Sequence, residues 1–336
     1  MRFIIVGAGA VGSVVGSHLT KAEVPVVLVG DPPHIEKIRR QGLTLTGKYG
    51  EFVTHPSLYS SLTEWQYQPD DVIFLAVKTY DTPVALEQLS AKVPADTPIF
   101  CLQNTVSNEP LVAQHFTRVY GVALHLGARF IFPGEVSHLG GNTLVIGRYP
   151  RGQDDLIDTI VTALNFASLH GVSTDEVMAY KWAKLCINLL NSPLAILGLS
   201  GEEAWNDGEV RPFLAEILDE AKQVLGKAEI PLKTLPGDQP LTEMIAAFRR
   251  ADFTPRPLSE QTLRVYPSKW QDLYCRRGRT EARYLNGKIV ELGQQMAIPT
   301  PVNALLVQVA DRMAERRELP GTYTLADLRQ RLATRG

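Results

Sequence analysis

Residues 3–12 read FIIVGAGAVG, a short apolar strand that runs directly into glycines spaced G-x-G-x-x-G, and a helical pattern follows to Lys21. Gly7 permits a tight turn, Gly9 lets the backbone approach a pyrophosphate, and Gly12 lets helix and strand pack closely. With the next strand this completes a βαβ unit, which predicts dinucleotide binding rather than a glycine-rich turn without a ligand. The pyrophosphate is expected at the helix N-terminus, where N–H groups and the dipole favour negative charge, on the following residues: Gly7, Gly9, Ala10, Val11 and Gly12.

An aspartate follows the second predicted strand, residues 24–29, at about twenty residues beyond the glycine loop. At that position Asp31 can accept hydrogen bonds from the ribose hydroxyls of adenosine, whereas a phosphate on the ribose would meet a like charge. The sequence therefore favours NADH over NADPH. Two observations weigh against this preference: Arg39 and Arg40 lie on the next helix, and Asp31 could simply be an N-cap before two prolines.

Strands and helices continue to alternate, which predicts an α/β domain of the doubly wound Rossmann type. Residues 71–77 and 97–102 are apolar runs typical of buried parallel strands, and polar side chains follow each of them. Ligands bind outside the carboxyl ends of such strands, so Lys78 is predicted to contact the cofactor and Asn104 the cofactor or the substrate. A solvated lysine and a turn asparagine are the alternatives at these positions.

The second half of the chain is predicted to be all-helical, with residues 1–172 forming the dinucleotide-binding domain and residues 173–336 a substrate-binding, catalytic domain. One helix, residues 179–197, carries a polar stripe at helical spacing: Lys181, Lys184, Asn188 and Asn191. A buried lysine must be paired or used in catalysis, whereas an amphipathic helix would show the same stripe to water. The pattern alone leaves both interpretations open.

Composition restricts the classes of function. A formal net charge of -2 in 336 residues gives no electrostatic argument for nucleic acid or for an anionic membrane surface. No apolar run is long enough for a membrane span. The chain has 3 cysteines and 7 scattered histidines, so we expect neither a disulfide framework nor a metal site. A small-molecule ligand and a reducing cytoplasm fit best.

Several separated motifs occur in one order along nearly the whole chain: GAGAVG, Lys78, Gln103-Asn104, KWAKLCINLLNSPLAI from Lys181, SKWQD at residues 268–272, GRTEARYLNG at residues 278–287, and IPTPVN from Ile298. In this combination the chain resembles the ketopantoate reductases (2-dehydropantoate 2-reductases). The resemblance implies a Rossmann domain followed by a helical domain, with the substrate bound between them.

The resemblance also implies roles for particular residues. Lys184 matches the catalytic lysine that delivers a proton to the carbonyl oxygen, and Glu281 matches the acid that binds the substrate hydroxyl. Asn104, Asn188 and Ser268 match polar groups that contact the substrate or the nicotinamide ribose. General chemistry agrees, since an ammonium stabilises the charge that builds on a reduced carbonyl oxygen. Taken alone, Glu281 could be an ordinary first-turn helix acid and Ser268 an N-cap.

Three positions depart from the family pattern. Thr105 replaces a glycine after the strand-end asparagine, and Asp31 stands where NADP-using members carry a basic residue. Asn191 comes one residue early, which on a helix rotates a side chain by about 100°, and Ser192 occupies the aligned position. Either Ser192 becomes a shorter substrate contact or the substrate differs. Lys181 is expected to be solvated.

The leading hypothesis is reduction of ketopantoate to pantoate by NAD(P)H in pantothenate biosynthesis. A relative acting on another short 2-oxo acid, and a dinucleotide-binding sensor without turnover, are the alternatives. No nucleic acid, membrane or metal is expected to take part. Additional sequence at residues 232–267 would either cover the cleft or extend the interface of a homodimer.

Overall fold

The computed structural model describes residues 1–255, 257–258, 266 and 268–334. The side chains of Ser268 and Lys269 are not among the described parts. The chain divides into two compact units, of which the first comprises Met1–Lys181 with Leu235–Asp238, and the second Trp182–Thr234 with Gln239–Gly336.

A mixed sheet forms the centre of the first unit. Its strands are β1 (Arg2–Val6), β2 (Val26–Val29), β3 (Leu43–Gly47), β4 (Phe52–Thr54), β5 (Ser57–Tyr59), β6 (Asp71–Leu75), β7 (Ile99–Cys101), β8 (Val119–Phe132), β9 (Glu135–Arg148) and β10 (His170–Ser173). The order is β4-β3-β9-β8-β7-β6-β1-β2-β5, with β10 paired to β9. The run β5-β2-β1-β6-β7-β8 is parallel and has the strand order of a dinucleotide-binding fold. The predicted Rossmann-type domain is confirmed, with an antiparallel β8–β9 hairpin added at one side.

Helices cover both faces of the sheet: α1 (Ala10–Lys21), α2 (Pro32–Gln41), α3 (Thr82–Ser90), α4 (Asn108–Val112) and α5 (Asp155–Phe166), with a 3-10 turn at Thr79–Asp81. The period-2 alternation of a strand divides its side chains between the two faces. In β1, Phe3 and Ile5 therefore join one hydrophobic core, and Ile4 and Val6 join the other. This explains why the strand before the glycine loop is apolar at every one of these positions.

Residues 155–170 have a helical pattern in the sequence, which predicts a helix up to His170, but the end of α5 differs from that prediction. The helix ends at Phe166, and His170–Ser173 pairs in parallel with β9. Ser168 has a φ of 61°, so the chain leaves the helix there. The side chain of Asn165 accepts a hydrogen bond from the Gly171 N–H at 2.9 Å. The helical pattern does not decide the structure here, because His170–Ser173 forms backbone hydrogen bonds with β9 instead.

The second unit is helical. After α6 (Val177–Asn188), which begins in the first unit, come α7 (Asn191–Leu197), α8 (Gly201–Asn206), α9 (Val210–Lys227), α10 (Leu241–Arg249), α11 (Ser268–Tyr274), α12 (Asn286–Met296), α13 (Pro301–Glu315) and α14 (Leu325–Ala333), with a 3-10 turn at Ala282–Tyr284. Beyond Ser173 the described residues contain no strand, as the sequence predicted. Within the described part of the chain, no helix has the length and apolar character that crossing a membrane requires.

The prediction of one continuous helix over residues 179–197 was wrong. Helix α6 ends at Asn188 and α7 begins at Asn191. Pro193 has no N–H to donate to the carbonyl of Leu189, and its ring crowds that carbonyl. A bend at this proline is therefore the expected local structure.

Candidate functional site

The glycine loop has the geometry of a pyrophosphate cradle. Gly7 has a φ of +110°, and a Cβ there would lie 2.4 Å from the backbone nitrogen of Val77. A Cβ at Gly12 would lie 2.2 Å from the Gly7 carbonyl oxygen, whereas a Cβ at Gly9 would meet nothing within 4 Å. Gly9 is also the N-cap of α1 and has no side chain to cap the N–H groups of Ala10 and the next residues. The loop thus fits a dinucleotide: Gly7 and Gly12 are packed closely against the protein, whereas Gly9 leaves space for a ligand beside the N–H donors of α1.

A buried histidine supports this loop from within the first unit. The Gly134 N–H donates to His34 Nδ1 at 3.0 Å, so His34 Nε2 carries the proton and donates to Ser13 Oγ at 3.1 Å. Ser13 in turn donates to the Ala8 carbonyl at 3.1 Å. Burial lowers the pKa of His34 to about 4. The imidazole is consequently neutral near pH 7, which keeps this chain of hydrogen bonds intact.

Asp31 lies between β2 and α2 and is exposed. It does occupy the N-cap position, with prolines after it, but its carboxylate makes no capping hydrogen bond to α2, all of which is described. Its backbone carbonyl instead accepts from the N–H groups of His34 and Ile35. The carboxylate is therefore available to a ligand, which leaves the ribose interpretation of Asp31 as a prediction.

The sheet brings three predicted cofactor contacts to one edge. Strands β1, β6 and β7 are adjacent and parallel, so the glycine loop, Lys78 and Asn104 all follow carboxyl ends of neighbouring strands. The Ala76 N–H donates to the Val6 carbonyl at 2.7 Å, which holds the end of β6 against the loop. Lys78 is half-buried, and Asn104 is exposed although the residues on either side of it are buried. The prediction that these residues face the ligand remains open.

Thr105, which replaces the family glycine, belongs to a buried polar network. Its hydroxyl accepts from Asn108 Nδ2 at 2.7 Å and lies 3.1 Å from the Thr79 hydroxyl. The Thr82 hydroxyl donates to Asn108 Oδ1 at 2.8 Å and accepts from Gln103 Nε2 at 3.3 Å. The network ties the turn that follows Lys78 to the loop that carries Asn104. A threonine restricts the backbone more than the family glycine would, and these hydrogen bonds restrict the loop further.

Lys181 is not solvated, and the prediction that it would be was wrong. Its side chain is about 1% exposed and forms an ion pair with the fully buried Glu109. The ammonium also donates to the Gln103 carbonyl at 2.9 Å. Burial raises the pKa of Glu109, and the adjacent Lys181 ammonium opposes that rise. Lys181 therefore fixes the peptide group that precedes Asn104. It is also the last residue of the main segment of the first unit, Met1–Lys181.

Lys184 lies one turn further along α6 and is half-buried. Asn188 follows it at i+4, the spacing that places two side chains on one face of a helix. The amide nitrogen Nδ2 of Asn188 is shielded from solvent and has no hydrogen-bond partner among the described residues. Its oxygen accepts from Asn191 Nδ2 at 3.4 Å. An amide donor in this state is costly unless a ligand uses it.

The remaining predicted site residues have different surroundings. Glu281 is half-buried and immediately precedes the 3-10 turn, where its side chain makes no capping hydrogen bond to the turn residues, all of them described. Ser192 is buried in α7, and its hydroxyl donates to Asn286 Oδ1 at 2.5 Å. Ser268 begins α11, but its side chain lies outside the described part of the chain. For these three residues contact with a substrate stays a prediction.

Sequence reasoning assigned no role to Glu109, Asn286, Asn303 or Glu220. Asn286 and Asn303 both lie inside motifs that carried the family resemblance, and both are fully buried in the second unit. Asparagines among the apolar residues of predicted helices are a signal that could have been used, because buried polar groups require partners. Glu109 had no comparable signal, since its partner is 72 residues away.

Family models and solved structures match the chain over most of its length. The model described as ketopantoate reductase PanE/ApbA matches residues 3–151, and its C-terminal counterpart matches residues 176–314. The first range contains the glycine loop, Lys78 and Asn104. The second contains Lys184, Asn188 and Glu281.

Named relatives and structures agree with these models. The 2-dehydropantoate 2-reductase of Pyrococcus horikoshii is 29% identical over 309 residues, covering 91% of this chain and 95% of the relative. That of Aquifex aeolicus is 26% identical over 331 residues, covering 95% and 97%. The PanE/ApbA family ketopantoate reductase from Ralstonia eutropha superposes with a TM-score of 0.77 at 26% identity, over 95% of this chain and 100% of that one. A D-mandelate dehydrogenase solved with NADH and anilino(oxo)acetate has a TM-score of 0.81 at 23% identity over the same shares, a likeness of fold.

Proposed function

The chain belongs to the ketopantoate reductase family, and on that premise we propose that it reduces ketopantoate to pantoate with NAD(P)H, in pantothenate biosynthesis. The reaction converts a 2-oxo acid, a hydride and a proton into a 2-hydroxy acid. The observation that carries the proposal is that Lys184 and Asn188 lie one turn apart on α6, and that the Asn188 Nδ2 donor has no partner among the described residues. An ammonium and an amide on one face are suited to a carbonyl and a carboxylate oxygen.

When bound, a nicotinamide cofactor would supply the hydride for the carbonyl carbon. Lys184 donates its proton to the carbonyl oxygen as negative charge builds there, and it is reprotonated from solvent. This general-acid role is worth roughly 10²–10⁴-fold in rate. Glu281 accepts a hydrogen bond from the substrate hydroxyl. Asn188 and Ser268 are the proposed contacts to the substrate oxygens.

The cofactor contacts are proposed for the first unit. The N–H groups at the start of α1 would hold the pyrophosphate, and Lys78 and Asn104 would contact the nicotinamide half or the substrate. NADH is the proposed preference, because the exposed carboxylate of Asp31 would repel a ribose phosphate. Arg39 and Arg40 lie in the last turn of α2, roughly 12 Å along the helix from Asp31 at 1.5 Å per residue. That distance supports the preference for NADH.

A relative with another short 2-oxo acid as substrate is the second candidate. It is favoured by Ser192, whose hydroxyl donates to Asn286 at the position where the family places an asparagine. The proposed assembly is a homodimer, and the proposed location is the cytoplasm, in keeping with three free cysteines. Part of the additional segment, Leu235–Asp238, belongs to the first unit, where Leu235 packs against Ala123 and Val145.

Steady-state kinetics test the proposal. Wild type, Lys184→Ala and the matched exposed-lysine control Lys222→Ala are assayed with ketopantoate, 2-oxoisovalerate and benzoylformate, each with NADH and NADPH. We expect ketopantoate to have the highest kcat/KM, and Lys184→Ala to lower kcat by roughly 10²–10⁴-fold while NADH still binds. Lys222→Ala should match wild type. A wild type that turns over no acid faster than Lys184→Ala would reject the assignment and leave a dinucleotide-binding sensor.

A further inference from the structure

Pro193, at the bend between α6 and α7, leaves the backbone carbonyl of Leu189 without its helical partner. In a continuous helix the Leu189 carbonyl would accept from the N–H of residue 193, which is a proline. Asn286, on α12, supplies the missing donor: its Nδ2 lies 3.1 Å from the Leu189 carbonyl oxygen. The bend is thus stabilised from outside the helix by a fully buried amide.

The same amide also holds the other side of the bend. Ser192, the third residue after Leu189, donates its hydroxyl to Asn286 Oδ1. A single side chain therefore contacts the last turn before the bend and the first turn after it. Because an amide is planar and both of its ends are used, the two contacts fix the angle between the turns.

The orientation of Asn286 is set by a carboxylate further away. Glu220, on α9, accepts from the N–H groups of Val302 at 2.8 Å and Asn303 at 2.9 Å, and from Asn303 Nδ2 at 2.7 Å. Since Nδ2 of Asn303 faces Glu220, its Oδ1 is the acceptor, at 2.9 Å, of Asn286 Nδ2. That leaves Oδ1 of Asn286 for the Ser192 hydroxyl. The hydrogen bonds run in one direction along Ser192, Asn286, Asn303 and Glu220, all of them buried.

The two asparagines of the polar stripe flank this bend. Asn188 is the last residue of α6 and Asn191 the first of α7. The Asn191 amide donates to the oxygen of Asn188 at 3.4 Å, and Nδ2 of Asn188 has no hydrogen-bond partner among the described residues. The geometry of the bend sets the distance and direction of this contact between Asn191 and Asn188.

We propose that Asn286 and Ser192 are positioning residues, which set the bend so that Asn191 orients the Asn188 amide toward an oxygen of the 2-oxo acid. This inference rests on the proposed function and refines it. Ser192 acts through Asn286 instead of touching the substrate, and Asn191 takes over the polar position beside Asn188. The one-residue shift of Asn191 and the serine at position 192 are then two linked departures from the family pattern.

The test compares Ser192→Ala with Ser200→Ala. Both serines are buried in the second unit, and both variants lose side-chain hydrogen bonding, but Ser200 caps α8 and lies outside the chain of hydrogen bonds. We expect Ser192→Ala to raise KM for the 2-oxo acid by roughly three- to tenfold, with the KM for NADH and the melting temperature matching those of Ser200→Ala. Asn286→Ala should have the same effect, larger.

The outcomes separate the two claims. Equal KM values for the acid in Ser192→Ala and Ser200→Ala would overturn the positioning role, whether or not Asn286→Ala folds. A selective rise for Ser192→Ala supports it. A wild type that reduces no acid in the panel would reject the proposed function, and this inference with it.

Discussion

The ammonium of Lys181 and the carboxylate of Glu109 form an ion pair in the interior of the first unit, with both side chains almost completely buried. The pair joins α6 to α4, and the Lys181 ammonium also binds the Gln103 carbonyl. Two charges removed from water gain little net stability from each other, but either one alone in the interior is costly. The pair therefore favours the one arrangement of α6 and the Asn104 loop in which both charges have a partner.

Replacing either Lys181 or Glu109 alone should lower the free energy of unfolding much more than replacing both. Lys181→Met and Glu109→Gln should each lower the free energy of unfolding by roughly 3–5 kcal/mol, because each leaves an uncompensated buried charge. The double variant should recover much of that loss. Urea unfolding measures all three, with Arg40→Met, from an exposed pair with Glu36, as a control that should change by less than about 0.5 kcal/mol. Additive losses in the double variant would contradict the interpretation.

Thr105 should stabilise the loop through its hydroxyl. Thr105→Val keeps the shape but leaves Asn108 Nδ2 with only a long contact of 3.4 Å to Thr79. The expected loss is about 1–3 kcal/mol in the free energy of unfolding. Thr105→Ser keeps the hydroxyl and is the control. If valine and serine proved equally stable by urea unfolding, the network would have no such role.

Asp31 should set the cofactor preference. Asp31→Asn removes the charge that repels a ribose phosphate and should raise the ratio of kcat/KM for NADPH over NADH by about tenfold, which corresponds to roughly 1.4 kcal/mol. Glu36→Gln removes a nearby exposed carboxylate on α2 and should leave the ratio unchanged. A wild type that already prefers NADPH strongly would show that Asp31 turns away from the ribose.

Two buried histidines should make the first unit sensitive to acid. His18 Nε2 lies 3.0 Å from His138 Nδ1, and burial lowers the pKa of His18, like that of His34, to about 4. The unfolded chain, with histidine pKa values near 6.5, binds more protons between these limits. Stability should therefore be complete above about pH 6.5 and fall as the pH drops toward 4, by up to roughly 3 kcal/mol for each histidine.

Thermal unfolding of a histidine variant against pH measures this effect. His34→Gln should reduce the dependence between pH 6.5 and 4 by about half, because His18 still contributes, and its stability at neutral pH will be lower. His115→Asn changes an exposed histidine and should preserve the slope of the wild type. An unchanged slope in His34→Gln would mean that His34 is not buried in its neutral form.

Local patterns were sufficient for much of the fold. The glycine spacing after an apolar strand predicted α1 with its observed bounds, and periodicity predicted the helical second unit. It failed at residues 167–170, which were predicted to be helical but lead into the strand paired with β9, and at Leu189–Pro193, where the proline bends the helix. The first failure depends on a distant strand that no local window contains. The second was readable from Pro193 and was missed.

The sequence by itself determined the dinucleotide loop and the family, because glycine spacing and motif order act over a few neighbouring residues and survive without knowledge of the fold. Only the tertiary structure decided what each polar residue of the lysine helix does. Lys181 is buried because Glu109, distant in the chain, lies beside it, and Ser192 is directed into the core by Asn286. Whether a polar group faces water, a partner or a ligand depends on which atoms surround it, and long-range packing supplies those atoms.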